Sequence, residues 1–324
     1  MSHAIRVHAY GGPEALRWEP VDLPPPGPGE ARIRQVAAGL NFIDVYERTG
    51  LYKGQLPTGL GREAAGIVEA LGPRVRDVRV GERVAYVYAQ PGAYAEQRVL
   101  PAERLVRIPD GVSELQAAAV MLKGLTAQML LRRVHKLGRN DTILVHAAAG
   151  GVGTILCQWA NALGARVIGV VGSEAKAELA ERNGCQHVVV GGRDDLVDRV
   201  RQVTRGRGVD VVYDSVGQDT FMASLDCLRR RGLMVSYGNA SGPVAPVAPL
   251  ELARRGSLFL TRPILFDYIA TRRELQSAAD ELFAALQAGS VTVQVGQTFR
   301  MQDAAVAHRE LEARRTTGST VLLI

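Results

Sequence analysis

The run Val145-His-Ala-Ala-Ala-Gly-Gly-Val-Gly-Thr154 has the residue types and spacing to hold a diphosphate. Gly150 and Gly153 match the second and third glycines of G-x-G-x-x-G, Ala148 stands at the first, and Gly151 and Val152 fill the gap. Small residues let the backbone turn sharply and approach phosphate oxygens, while the next helix offers N–H groups and a positive dipole end. Glycine-rich runs also mark ordinary turns, so the flanks decide. Before the turn lies an apolar run, Asp141 to Val145. After it Val152, Ile155, Leu156, Trp159, Ala160 and Leu163 recur every three or four residues, as one helical face requires. The expectation is a strand–turn–helix that binds a dinucleotide.

The next strand points to the choice of dinucleotide. Folds specific for NAD place an acid about 20 residues past the glycine turn, on the ribose 2′-hydroxyl. Here Ala165–Val171 ends in Gly172-Ser173 with no acid at the tip. Glu174 follows in what reads as a first helical turn, where acids are ordinary. Ser173 can donate a hydrogen bond and Lys176 a charge to a 2′-phosphate, which favours NADPH. The alternative makes Ser173 an N-cap and Lys176 a surface residue. Lys176 and Lys123 carry extra weight because only Lys53, Lys123, Lys136 and Lys176 are lysines among 39 Lys and Arg.

These residues sit in a longer alternation from Asp141 to Pro263. Strands are expected at Asp141–Ala147, Ala165–Val171, His187–Val190, Val209–Val216, Gly232–Tyr237 and Leu258–Thr261. Helices are expected at Val152–Leu163, Glu174–Asn183, Asp194–Thr204 and Asp219–Arg230, with Arg229-Arg230-Arg231 closing the last. That pattern is an α/β, doubly wound parallel sheet. The first 120 or so residues differ: short alternating runs such as Ile5–His8, Ala31–Val36 and Gly81–Val87, and a Pro-rich loop at Pro24–Gly29, read as irregular antiparallel β structure. After Pro263, helical patterns at Arg272–Gln287 and Asp303–Arg315 precede an apolar strand, Ser319–Ile324, expected to rejoin the first domain. The expected division is 1–122, 123–265 as the dinucleotide domain, and 266–324 as a return to the first.

Composition narrows the function classes. No apolar run is long enough to span a membrane, and the N-terminus lacks a signal-peptide pattern. Cys157, Cys185 and Cys227 have no C-x-x-C spacing and read as buried thiols of a reducing, cytoplasmic protein. The net charge of +6 leaves nucleic acid open as a partner, but the basic residues are scattered and no aromatic RNA-binding signature occurs. No Ser–His–Asp arrangement is apparent, and His146 reads as a core residue.

The chain resembles the zinc-free quinone oxidoreductase, or zeta-crystallin-like, group of the medium-chain dehydrogenase/reductase superfamily. The pieces that carry this are Ala38-Gly-Leu-Asn-Phe-Ile-Asp44, Gly61-Arg-Glu-Ala-Ala-Gly66, Lys123-Gly-Leu-Thr-Ala127, the glycine turn, and Asp214-Ser-Val-Gly217. Arg230–Asn239 looks most like the bacterial NADPH:quinone reductases. The resemblance implies a Rossmann domain inserted in a GroES-like, mainly β catalytic domain. In the zinc alcohol dehydrogenases a Cys ligand falls where Asn41 stands and a His ligand where Arg62 stands, and the four-cysteine lobe is missing between Tyr86 and Tyr94. Asn is a poor zinc ligand and Arg is none, and Glu63 alone would not hold a metal, so no metal site is expected.

The resemblance also implies roles. Asn41 orders the nicotinamide ribose or a substrate oxygen, or else is a turn residue holding its own backbone. Tyr46 and Tyr52 meet a flat quinone or are core and rim aromatics, with Tyr52 favoured. Lys123 and Thr126, taken to start a helix, bind the ribose and the carboxamide. Ser215, Tyr237, Gly238 and Asn239 follow strands at their carboxyl ends, where ligands bind in open α/β sheets. Arg314 resembles an Arg that reaches the cofactor. A Tyr that meets the adenosine end in the bacterial reductases is replaced by Gly191, for which Arg193 would compensate. The expected function is NADPH-dependent quinone reduction by a homodimer paired through the strand Ser257–Arg262. The alternatives are reduction of α,β-unsaturated carbonyls (enones) and, ranked below it, non-catalytic RNA binding.

Overall fold

A computed structural model describes residues 2–191 and 195–324. The expected compensation by Arg193 lies outside the described residues. The chain forms two compact units, Met1–Leu125 with Ile269–Ala288 and Val293–Ile324, and Thr126–Tyr268 with Gly289–Thr292.

The first unit begins with β1 (Ser2–Val7), β2 (Leu16–Val21), β3 (Glu30–Leu40), α1 (Phe42–Thr49), β4 (Thr58–Gly59), β5 (Glu63–Leu71), β6 (Arg83–Val87), β7 (Gln97–Pro101), β8 (Leu105–Arg107) and α2 (Glu114–Gln128). The second unit holds β9 (Thr142–His146), α3 (Gly151–Ala162), β10 (Arg166–Val171), α4 (Glu174–Arg182), β11 (His187–Val190), α5 (Leu196–Val203), β12 (Val209–Asp214), α6 (Phe221–Cys227), β13 (Leu228–Ser236), α7 (Pro249–Arg254), β14 (Phe259–Thr261) and α8 (Leu265–Tyr268). The chain then returns to the first unit as α9 (Arg272–Gln287), β15 (Val295–Arg300), α10 (Ala304–Glu312) and β16 (Ser319–Leu323).

In the second unit six strands run in the order β11-β10-β9-β12-β13-β14, every pair parallel. β9 and β12 are buried along their whole length, which is why they read as unbroken apolar runs. The order reverses between β9 and β12, the crevice where open α/β sheets bind ligands.

In the first unit β3 is the axis. β5 pairs antiparallel along one edge; β7 covers Glu30–Arg34 and β16 covers Ala37–Leu40 along the other. Ile33, Leu40, Ala64, Val84, Tyr86 and Leu322 share one core. The expected return of the C-terminal strand is thus realised, in register from Thr320 opposite Leu40 to Leu323 opposite Ala37.

Two expectations fail. The helix expected at Asp219–Arg230 ends at Cys227, and Leu228–Arg230 open strand β13. Arginine is a good helix former, but Asp210, 4% exposed on β12, claims Arg229 Nε and is also met by Arg207 at 2.7 Å. Burial of that carboxylate outweighs local propensity, and Arg231 takes a left-handed φ of 57°. Lys123 and Thr126 likewise do not start a helix. They lie in the second half of α2, which begins after Ser113; there Ser113 and Gln116 exchange side-chain and backbone hydrogen bonds at 3.0 and 3.2 Å, a capping box. The apolar residues all round this helix hide its start.

The first unit also buries titratable groups with few partners. His308 on α10 is 0% exposed, both ring nitrogens lack a hydrogen-bond partner, and its ring meets Tyr94 edge-on at 6.0 Å. Burial, and then the Arg48 charge, push it down to about 3. Asp44 is raised to about 7, by burial and then by Glu47. The signs oppose. A depressed histidine contributes stability above its unfolded value, lost as pH falls towards 3; a raised carboxyl contributes stability at low pH, lost as pH rises through 7. His308→Leu removes only the first. Relative to the parent, the variant gains about 2 kcal/mol as pH falls from 6.5 to 5. Urea midpoints at the two pH values measure this, and parallel pH profiles for parent and variant would rule it out.

Candidate functional site

The glycine turn of the second unit follows β9 directly. Ala147 takes a left-handed φ of 51° and its carbonyl accepts from Gly150 N–H at 2.8 Å. The strained residue is therefore Ala147, one place before the alanine matched to the first glycine. A non-glycine residue there costs about 1–3 kcal/mol. A Cβ at Gly153 would stand 2.2 Å from the Ala147 oxygen and 2.9 Å from the Ala148 Cα, so this glycine serves the packing of helix on strand. At Gly150 the nearest atom would be 3.1 Å away. Helix α3 then starts with Gly151, Val152 and Gly153, whose N–H groups fall in the first turn and have no partner inside the helix. Ala148 is accommodated because residue 169 on β10 is glycine; a Cβ there would meet the Ala148 Cβ at 2.9 Å and Cys185 Sγ at 2.6 Å.

At the end of β10, Gly172 and Ser173 are exposed and a Cβ on Gly172 would meet nothing within 4 Å. Ser173 occupies the N-cap position of α4 but its side chain makes no cap hydrogen bond. Lys176 lies one turn on, its N–H bonded to the Ser173 carbonyl at 3.0 Å. Gly191, φ 70°, closes β11 with open space at its Cβ position.

The loops after β12 and β13 are laced together by one carboxylate. Asp214 is fully buried. Its Oδ1 accepts from Val216 and Gly217 N–H at 2.8 and 3.0 Å, and its Oδ2 from the Thr220 and Ser224 hydroxyls at 2.7 and 3.0 Å. The loop so fixed presents Ser215, whose carbonyl accepts from Ala240 N–H at 3.2 Å; Ser241 N–H bonds the Val216 carbonyl at 2.8 Å. A Cβ on Gly238 would lie 2.3 Å from the Ser215 oxygen. Ser215, Tyr237, Gly238 and Asn239 are thereby gathered at one place. Ser224 also meets His146 Nε2 at 2.9 Å. His146, Ser224 and Asp214 therefore touch, an arrangement not apparent from the residues' order. The hydroxyl stands between acid and imidazole, donates to the acid and is buried, so this is a brace between β9 and β12 and no activated nucleophile. The histidine is held neutral by burial, which lowers its pKa.

In the first unit Asn41 ends β3 and caps α1; Asp44 accepts its backbone N–H at 2.8 Å. Its side-chain Nδ2 donates to Glu63 Oε1 at 2.8 Å. The same oxygen accepts from Lys123 Nζ at 2.8 Å, and Glu63 Oε2 accepts from Leu122 N–H at 2.5 Å. Lys123 is 4% exposed, so the alternative of a partly exposed helix-start lysine is replaced by a buried ion pair. Arg62, at the other former ligand position, donates from Nε to Glu47 Oε1 at 2.6 Å. Tyr46 is buried on α1 and Tyr52 is 39% exposed; their rings meet edge to face at 5.2 Å. Thr126, buried near the end of α2, is the first residue of the second unit, and Arg314 of the first unit, with a left-handed φ of 58°, follows α10. Sequence reasoning missed Glu63 and Asp214 as organisers, although both stand inside the quoted motifs as lone acids among small and apolar residues.

Known proteins supply the family. Residues 27–110 match the alcohol dehydrogenase GroES-like domain and residues 151–282 the zinc-binding dehydrogenase domain. A quinone oxidoreductase of Pseudomonas aeruginosa is 52% identical over 324 residues, covering 100% of both chains. A 2-haloacrylate reductase of a Burkholderia species is 46% identical, covering 100% of this chain and 99% of its own. The crystal structure of Escherichia coli quinone oxidoreductase complexed with NADPH superposes with a TM-score of 0.97 at 46% identity, over 100% of both chains. With relatives of that identity over their full length, the chain belongs to the quinone oxidoreductase group of the medium-chain dehydrogenase/reductase superfamily.

Proposed function

We propose that the chain reduces quinones with NADPH and without a metal ion. One observation carries this beyond the family: the two positions that hold zinc in alcohol dehydrogenases carry an amide and a guanidinium, each committed to a carboxylate, Asn41 to Glu63 and Arg62 to Glu47. A quinone needs no Lewis acid, because reduction yields an aromatic hydroquinone. NADPH, when bound, supplies the reducing electrons. The first turn of α3, at Gly151, Val152 and Gly153, donates N–H groups to the diphosphate, and Gly150, the N-cap before it, lets the backbone approach. Ser173 and Lys176, beside Gly172, hold the 2′-phosphate. Thr126, Ser215, Tyr237, Gly238, Asn239 and Arg314 serve the rest of the cofactor, and Lys123 and Asn41 the nicotinamide ribose. Tyr46 and Tyr52 frame the quinone, the Tyr52 hydroxyl donating to the developing oxyanion. The three buried free cysteines fit a cytoplasmic setting.

The test is turnover. The purified chain should oxidise NADPH with a quinone, and prolonged chelation should leave the rate unchanged. Stoichiometric zinc lost together with activity would sink the proposal. The relative named as a 2-haloacrylate reductase favours an enone as the second reading; faster turnover of an enone than of a quinone at equal NADPH would select it.

Lys176→Ala should raise the NADPH KM by about 1.5–3 kcal/mol equivalent, the scale of a charged hydrogen bond, and leave the NADH KM in place. Equal effects on both cofactors would remove Lys176 from the 2′-phosphate.

We further propose a homodimer through β14. This strand ends the sheet, and Phe259 and Leu260 on it are 61% and 39% exposed. An exposed apolar edge invites pairing with a second copy about a two-fold axis. Phe259→Glu, tolerated in a monomer, should shift sedimentation towards monomer. A parent that is monomeric at micromolar concentration, or a dimer insensitive to the change, would overturn it.

A further inference from the structure

We propose that Glu63 is a positioning residue: its buried carboxylate sets the orientation of the Asn41 amide and fixes the Lys123 ammonium. The inference rests on the assignment of Asn41 and Lys123 to the nicotinamide ribose made above. Glu63 is 0% exposed at the first residue of β5. Each oxygen is used. Oε1 takes Asn41 Nδ2 and Lys123 Nζ, both at 2.8 Å, and Oε2 takes the Leu122 N–H. An ionised carboxylate only accepts, so the Asn41 face turned to it must be the NH2 group, and the amide oxygen is turned away. Lys123 has three donors and spends one here. The protein gives up side-chain volume for this arrangement. A Cβ on Gly39 would lie 2.1 Å from Glu63 Oε1 and 2.6 Å from the Ala118 oxygen, so only glycine leaves room for the carboxylate beside β3. Three elements, β3, β5 and α2, meet at this one group. A residue that merely filled space would not need a charge, a partner lysine and a glycine cleared for it.

Glu63→Gln keeps the size and an acceptor for Asn41 and removes the charge that holds Lys123. The expected result is a rise of about tenfold in the KM and Kd of NADPH, the usual cost of losing the partner of a ligand-contacting group, with kcat and the quinone KM held within about twofold. A purely structural role would lower the folded fraction, and hence kcat, at constant KM; that result overturns the proposal. In a Lys123→Met background Glu63→Gln should change the NADPH Kd by less than about twofold; additive effects would show that Glu63 does not act through Lys123. If Glu63→Gln alone fails to fold, the double variant, which removes the buried pair as a unit, carries the same comparison against Lys123→Met. If Lys123→Met and Asn41→Ala both leave NADPH binding unchanged, the assignment of those residues fails and this inference with it. If they weaken binding and Glu63→Gln does not, only the inference fails.

Discussion

A carboxylate that has lost all its water must be met by donors, and both units are arranged around that requirement. Burying an unpaired ionised group costs far more than a domain's net stability. Asp214 meets the condition with two amides and two hydroxyls, and the loops after β12 and β13 take their shape from those four bonds. Glu63 meets it with an amide, an ammonium and a backbone N–H. Asp44 meets it only by half. Its Oδ2 accepts from Tyr94 and from Asn41 N–H, while Oδ1 has no hydrogen-bond partner. Burial, and then the Glu47 charge, drive its carboxyl up to about 7.

The former metal position shows the same rule with its polarity inverted. A zinc centre gathers acceptors around a cation. Here Asn41, Lys123 and the Leu122 amide are donors gathered around an anion, Glu63, and Arg62 is answered by Glu47. The scaffold of the alcohol dehydrogenase GroES-like domain is kept while the charge at its centre changes sign. Donors so arranged do not ligate a cation, and the reduction proposed above asks only for an ordered cofactor and a planar acceptor.

Much of this was legible in the residues. The glycine turn, the alternation of β9 to β14 and the returning strand β16 each follow from periodicity and turn chemistry, which are local. What failed was decided at a distance. Nothing near Arg229 in sequence says that Asp210 will draw it into a strand, and nothing near Lys123 on α2 says that Glu63, at the start of β5, will pair with it. The start of α2 was written in Ser113 and Gln116 but masked by apolar residues on every face. For the candidate site, the motifs supplied the residues assigned to the cofactor, and the carboxylates that organise them went unread. A lone acid among small residues looks the same in sequence whether it is solvated or walled in.

The closing of β3 by β16 has a consequence for how the protein comes into being. Leu40 leaves the ribosome long before Thr320, so Ala37–Leu40, the stretch leading to Asn41, waits with one edge unpaired until the last strand is made. The Rossmann unit, by contrast, has its last residue at Thr292, so its chain is complete before that strand is made. Birth order therefore assembles the residues assigned to the dinucleotide phosphates first, and locks in Asn41 last.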